Sequence, residues 1–135
     1  HAQDPSPWLI AGVGTALTID LLDGAGRHVG GRIAPSPALM RRALRDAASQ
    51  LPDTGGAFGE FAADTEDALA SGCEGAALGL IERSLREGER LLGATPRLLL
   101  HGGGAEALRT HFPQAAWQPS LVLHGLAIWA KTGRS

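Results

Sequence analysis

Cysteine is almost missing from this chain of 135 residues: Cys73 is the only one, so an internal disulfide framework and a Cys-rich zinc site are both excluded. A reducing, cytoplasmic compartment is the simplest expectation from that count. Tyrosine is absent and aromatic residues make up 4% of the chain, and its three tryptophans, on apolar elements, read as core rather than as a stacking platform for bases. Charge of one sign is also lacking. The formal net charge is -2, which excludes a strongly basic nucleic-acid binder. Long hydrophobic runs are missing too. Trp8 to Val13 and Leu121 to Ala130 are too short to span a bilayer, and no charged segment followed by an apolar one opens the chain. Methionine occurs once, at Met40, and the chain begins at His1, so a piece of a longer protein is expected.

What is present is a globular composition, 44% apolar and 19% charged. Residues 1–7 are polar with two prolines and read as a linker or frayed end; residues 8–135 read as one domain. Trp8 to Val13 is a buried strand. Thr15 to Leu22 and Arg27 to Ala34 are strands joined by a hairpin at Asp23-Gly24-Ala25-Gly26. A helix follows from Pro37, with Leu39, Met40, Ala43, Leu44 and Ala47 as its apolar stripe. Leu51 to Glu60 is a loop. Asp64 or Thr65 caps a long helix that reaches about Arg90 and stops at Gly93. Its inner side is expected at Leu69, Cys73, Ala76, Ala77, Leu80, Ile81 and Leu85, with Glu82–Arg86 and Arg83–Glu87 pairs outside. A strand at Arg97 to Leu100, a helix at Ala105 to Thr110, a short strand at Ala115 to Trp117 and a terminal helix at Ser120 to Lys131 complete the pattern. Three antiparallel strands followed by alternating helices and strands predict an α/β fold: a mixed sheet flanked by helices, in the element order of a ribonuclease-H-like half-domain.

Three segments are candidates for chemistry. Gly12-Val13-Gly14-Thr15-Ala16-Leu17-Thr18-Ile19-Asp20 places glycines and hydroxyls between strands, where amides and Thr side chains suit phosphate oxygens. Spacing alone favours a plain glycine hairpin, and the Lys of a Walker A loop is absent. His101-Gly102-Gly103-Gly104 sits between a strand and a helix, where a flat ligand or an anion could lie, or where the chain simply turns. Thr65 could bind a polar substrate or only cap its helix. Asp20 could reach a magnesium or a nucleophile, whereas Asp23 reads as a turn former. The histidines His1, His28, His101, His111 and His124 show no metal-ligand spacing. Arg41, Arg42 and Arg45 read as a solvated face, and Trp8, Trp117 and Trp129 as core.

Taken in order, Gly14 to Asp20, Gly26 to Ile33 (GRHVGGRI), Leu51-Pro52, Asp64 to Gly72, His101 to Gly104 and Pro119 to Leu126 (PSLVLHGL) resemble type III pantothenate kinase, the Bvg accessory factor family, over nearly the whole chain from Trp8. The resemblance implies the acetate and sugar kinase/Hsp70/actin fold, with this chain as the C-terminal of two half-domains. It implies transfer of phosphate from ATP to pantothenate, the first step of coenzyme A biosynthesis, by a homodimer whose pantothenate site lies at the subunit interface. Gly14 and Thr15 would meet the ATP phosphates, Gly102 and Gly103 the adenosine, and Thr65 the pantothenate. The general base belongs to a GxDR segment in the N-terminal half, beside a DxGN-type phosphate loop, so this chain holds no catalytic residue of its own. Mg2+ would accompany ATP. The family's aspartate for a monovalent cation, K+ or NH4+, lies three residues before the phosphate threonine; that position is Gly12 here, which offers only a carbonyl. The alternative is a non-catalytic nucleotide-binding or regulatory module of the same fold. A third reading is a small structural or dimerisation domain whose glycines only make turns.

Overall fold

The computed structural model describes residues 5–118. The terminal helix expected at Ser120 to Lys131, and with it Trp129, lies outside the described residues. The elements run β1 (Trp8–Val13), β2 (Ala16–Leu22), β3 (His28–Pro35), α1 (Pro37–Ala47), α2 (Thr65–Leu92), β4 (Arg97–His101), α3 (Glu106–Arg109) and β5 (Ala116–Gln118). The strands form one mixed sheet in the order β3-β2-β1-β4-β5. β1 pairs antiparallel with β2 and parallel with β4; β2–β3 is antiparallel and β4–β5 parallel. The expected α/β class and the three leading antiparallel strands are both observed.

Alternation along the strands builds the core. Leu9, Ala11 and Val13 of β1, Leu17, Ile19 and Leu21 of β2, and Leu98 and Leu100 of β4 point to one face, where they meet Ala77, Leu78 and Ile81 of α2, Leu108 of α3 and Ala105 just before it. Each such buried Leu or Ile stabilises the fold by about 1.5–3 kcal/mol. Ile10, Leu22 and Leu99 form a smaller cluster on the opposite face, with Trp8 and Ala116 packed against it. Pro7 is buried and its carbonyl accepts from Arg97 N at 2.9 Å, so the contact between the two parallel strands begins before Trp8.

The caps follow side-chain chemistry. Asp64, not Thr65, caps α2: its carboxylate accepts from Asp67 N at 2.8 Å, and Gly93 closes the other end at φ 77° with its N–H on Glu89 O. Ser36 caps α1 ahead of Pro37. The hairpin is held as expected: Asp23 Oδ1 accepts from Ala25 N and Arg27 N, both at 2.9 Å.

Several inward positions differ from the sequence pattern. Ala76 is exposed and Leu78 is buried instead, because the face of α2 that meets the sheet runs through Cys73, Ala77, Leu78 and Ile81 to Ser84 and Gly88. α1 buries no residue, since its stripe rests on α2 and the edge strand rather than on the sheet centre. Glu87 is bound by Arg90 at 2.9 Å rather than by Arg83. Trp8 and Trp117 are half-buried rather than core, each under a guanidinium: Arg97 lies 4.6 Å from one ring centroid and Arg109 3.8 Å from the other. The arginine cluster braces a loop. Arg41 donates to the carbonyls of Gly55 and Pro52, and Arg45 pairs with Asp53 at 2.9 Å. Among the described residues no helix is long and apolar enough to cross a membrane.

Candidate functional site: a glycine rim at the carboxyl ends of β1 and β4

β1 and β4 are parallel neighbours, so their carboxyl ends, Val13 and His101, emerge on the same edge of the sheet. Loops leaving such ends are where open α/β sheets bind ligands. Here they are the Gly14-Thr15 turn and the Gly102-Gly103-Gly104 turn, and Gly104 N donates to Val13 O at 2.9 Å to join them. Thr15 stands exposed at the tip between β1 and β2, and Ser36 Oγ donates to its carbonyl at 2.9 Å, tying the tip to the start of α1. A cavity of about 220 Å3 opens beside the turn, bordered by Val13, Gly14, Ser36, Glu74, Gly104 and Leu108.

The glycines of this rim divide by what demands them. Gly102 has φ 96°, and a Cβ there would lie 2.6 Å from Val13 O; a Cβ on Gly104 would lie 2.6 Å from Val13 Cγ1. Both are required by packing within the chain. Gly14 and Gly103 are different. Neither has positive φ, and no described residue stands within 4 Å of where a Cβ would be. Among the described residues no contact calls for glycine at these two positions, and both open outward. The Gly14 amide is not free, since it donates to Ala16 O at 3.0 Å.

Gly12 is demanded from the side. It pairs with Thr18 on β2 and His101 on β4, so the three share one sheet face. A Cβ at position 12 would sit 2.5 Å from His101 Cε1, 2.6 Å from its Nε2 and 2.9 Å from Thr18 Oγ1. Burial pushes the His101 imidazole below its ordinary value, against a weaker upward pull from Asp20. Among the described residues its buried Nδ1 has no hydrogen-bond partner.

The other candidates lie elsewhere. Asp20 is four residues along β2 from Ala16, about 13 Å at the rise of a strand, and its Oδ1 is 2.7 Å from His28 Nε2. The absent side chain of Gly31 leaves room for that carboxylate. Thr65 is exposed at the first turn of α2. That helix borders the rim at Glu74, nine residues further on, about 14 Å along the axis. Cys73 is buried, and desolvation raises its thiol above the ordinary value while Arg41 opposes more weakly. Sequence reasoning missed Glu74 and Ser36. Glu74 Oε2 is 2.8 Å from His111 Nε2, and the His111 ring stands edge-on to Phe58. Only the folded proximity of residues 37 apart reveals that pair.

The model of the type III pantothenate kinase family matches residues 1–87. The chain belongs to that family. A type III pantothenate kinase of Stenotrophomonas maltophilia K279a is 61% identical over 129 residues, covering 96% of this chain and 53% of that protein. One from Xanthomonas campestris pv. campestris B100 is 60% identical with the same coverage, and one from Xanthomonas euvesicatoria pv. vesicatoria 85-10 is 56% identical over 134 residues. The chain thus spans about half the length of the curated relatives it matches, and corresponds to their C-terminal half. In structure it is similar to a Campylobacter jejuni protein described as belonging to the Baf family of transcriptional activators. The TM-score is 0.70 at 25% identity, over 93% of this chain and 58% of the other.

Proposed function

We propose that this chain is the C-terminal, ATP-phosphate-binding half of a pantothenate kinase, which phosphorylates pantothenate to 4'-phosphopantothenate in coenzyme A biosynthesis. The observation that carries the reading is the outward pair Gly14 and Gly103, glycines that nothing among the described residues requires, flanking an exposed Thr15 at the carboxyl edge of parallel strands. Family membership supplies the substrate. The strand order and its parallel β1–β4 contact support the finer assignment to a ribonuclease-H-like half-domain of the sugar kinase/Hsp70/actin type.

Phosphoryl transfer asks a protein for positioning and for charge stabilisation on the transferring group, with little covalent chemistry. Thr15 would donate its hydroxyl to a phosphate oxygen. Gly14 and Gly103 would let the triphosphate and the nucleoside come against the backbone, while Gly102 and Gly104 hold the rim rigid. Mg2+ would enter as the counter-ion of ATP, held by phosphate oxygens. Its fit is to the nucleotide, because among the described residues no group of three or more His, Cys, Asp or Glu could cage a metal. The general base would come from the N-terminal half. Thr65, remote from this rim and exposed, would serve a pantothenate site shared with a second subunit. The exposed small residues Gly72, Ala76 and Gly79 of α2 would permit close approach in such a homodimer. A cytoplasmic location accords with a single, buried, reduced cysteine.

The test is to mix the full-length protein with MgATP and pantothenate and to look for 4'-phosphopantothenate. Thr15→Ala should cut turnover by about 10²–10³-fold with an unchanged melting temperature. Equal losses of folding and activity would contradict the role. A second reading, a nucleotide-binding regulatory module without turnover, draws on the description of the Campylobacter structure as an activator; MgATP binding with no product would favour it.

A further inference from the structure

The family resemblance brings with it a monovalent cation held by a carboxylate at position 12. The residues here do not fit it. Gly12 has no side chain, and the volume a side chain would enter is taken by the His101 ring and the Thr18 hydroxyl, 2.5–2.9 Å from the Cβ position. Alkali and alkaline-earth cations take oxygen ligands; this notch presents a ring carbon and a ring nitrogen from one strand and a single hydroxyl from the other. The arrangement follows from register. Gly12, Thr18 and His101 lie abreast on neighbouring strands, so their side chains compete for one space. The imidazole wins it because Gly12 yields it.

We infer that His101 replaces the cation site by occupying its volume, and that this protein binds MgATP without a monovalent cation. The ring then acts as a positioning residue. It fills the gap between β1 and β4 immediately below Gly102, so the two turns of the rim keep their spacing by packing rather than through a bound ion. The inference rests on the reading of the rim as a nucleotide site.

The test uses the full-length protein at constant ionic strength, with KCl or NH4Cl against tetramethylammonium chloride. MgATP affinity is read by calorimetry and phosphorylation by product formation. Coupling between an activating ion and its ligand is ordinarily about 5–150-fold; here both quantities should change by less than about twofold. A rise of about fivefold or more with K+ or NH4+ would overturn the inference. The second arm tests the notch itself by thermal melting. Gly12→Asp alone should lower the melting temperature by about 4 °C or more, and adding His101→Ala should restore most of the loss. Gly12→Asp that melts like the parent, or that gains nothing from His101→Ala, would refute the shared volume. Failure to bind MgATP in every salt would instead overturn the functional reading, and the melting arm would still decide whether position 12 has room for a carboxylate.

Discussion

The rim at the end of β1 and β4 and the layer made by α1 with the start of α2 are built in opposite ways. At the rim, Val13, Ala105 and Leu108 are buried, Gly102 and Gly104 lie against Val13, and Ser36 ties the Thr15 tip to a helix. On the helical layer, α1 buries nothing, Leu44 is 43% exposed, Phe61 in the connection between the two helices is 99% exposed, and an apolar groove runs between Met40 and Leu44 of α1 and Leu69 and Cys73 of α2. The first region holds a fixed shape before any ligand arrives, which lowers the ordering cost of binding. The second leaves apolar surface uncovered among the described residues. The difference separates positions that define a binding geometry from positions that tolerate change.

Substitutions can break that comparison. The largest effect is expected at Gly102. Gly102→Ala combines a left-handed backbone with a clash against Val13 O and should cost about 2–5 kcal/mol in urea unfolding, abolishing MgATP binding as well. In α2, Ile81→Ala should cost about 2–5 kcal/mol, whereas Leu44→Ala on α1 should cost less than about 1 kcal/mol. Equal losses would mean that the helical layer is as tightly packed as the core. Gly103→Ala sharpens the contrast with Gly102. Its stability should stay within about 0.5 kcal/mol of the parent while the KM for ATP rises by about tenfold.

The smallest effect is a pH dependence. Burial holds the folded-state pKa of His101 below its unfolded value of about 6.5. Below that pH the unfolded chain binds the proton that the folded chain refuses, so stability is present above about 6.5 and lost as pH falls through it toward the folded value. His101→Asn should flatten the acid side of a melting-temperature profile between pH 7.5 and 5.5. A profile parallel to the parent's would remove the burial of the ring from the explanation.

Much of this fold was readable one strand or helix at a time. Alternation marked the strands, Asp23 and Gly26 the hairpin, and Gly93 the end of α2, because these signals act over a few residues. Two local choices were close in chemistry and went one way: Asp64 rather than Thr65 became the cap, which leaves the Thr65 hydroxyl outside the cap. At the site, Gly14, Thr15, Gly102 and Gly103 stood out as a pattern, yet only the folded chain separates Gly102, needed by Val13, from Gly14 and Gly103, needed by nothing among the described residues. The His101 ring over Gly12 was illegible, since it depends on the parallel register between strands 89 residues apart in sequence. Glu74 beside the rim was hidden for the same reason.

The most direct measurement is a crystal structure of the full-length protein with Mg2+ and a non-hydrolysable ATP analogue. The triphosphate should lie against Gly14 and the Thr15 hydroxyl, with the nucleoside beside Gly103. A nucleotide bound elsewhere, with the rim between β1 and β4 left empty, would contradict the assignment of that rim as the phosphate site.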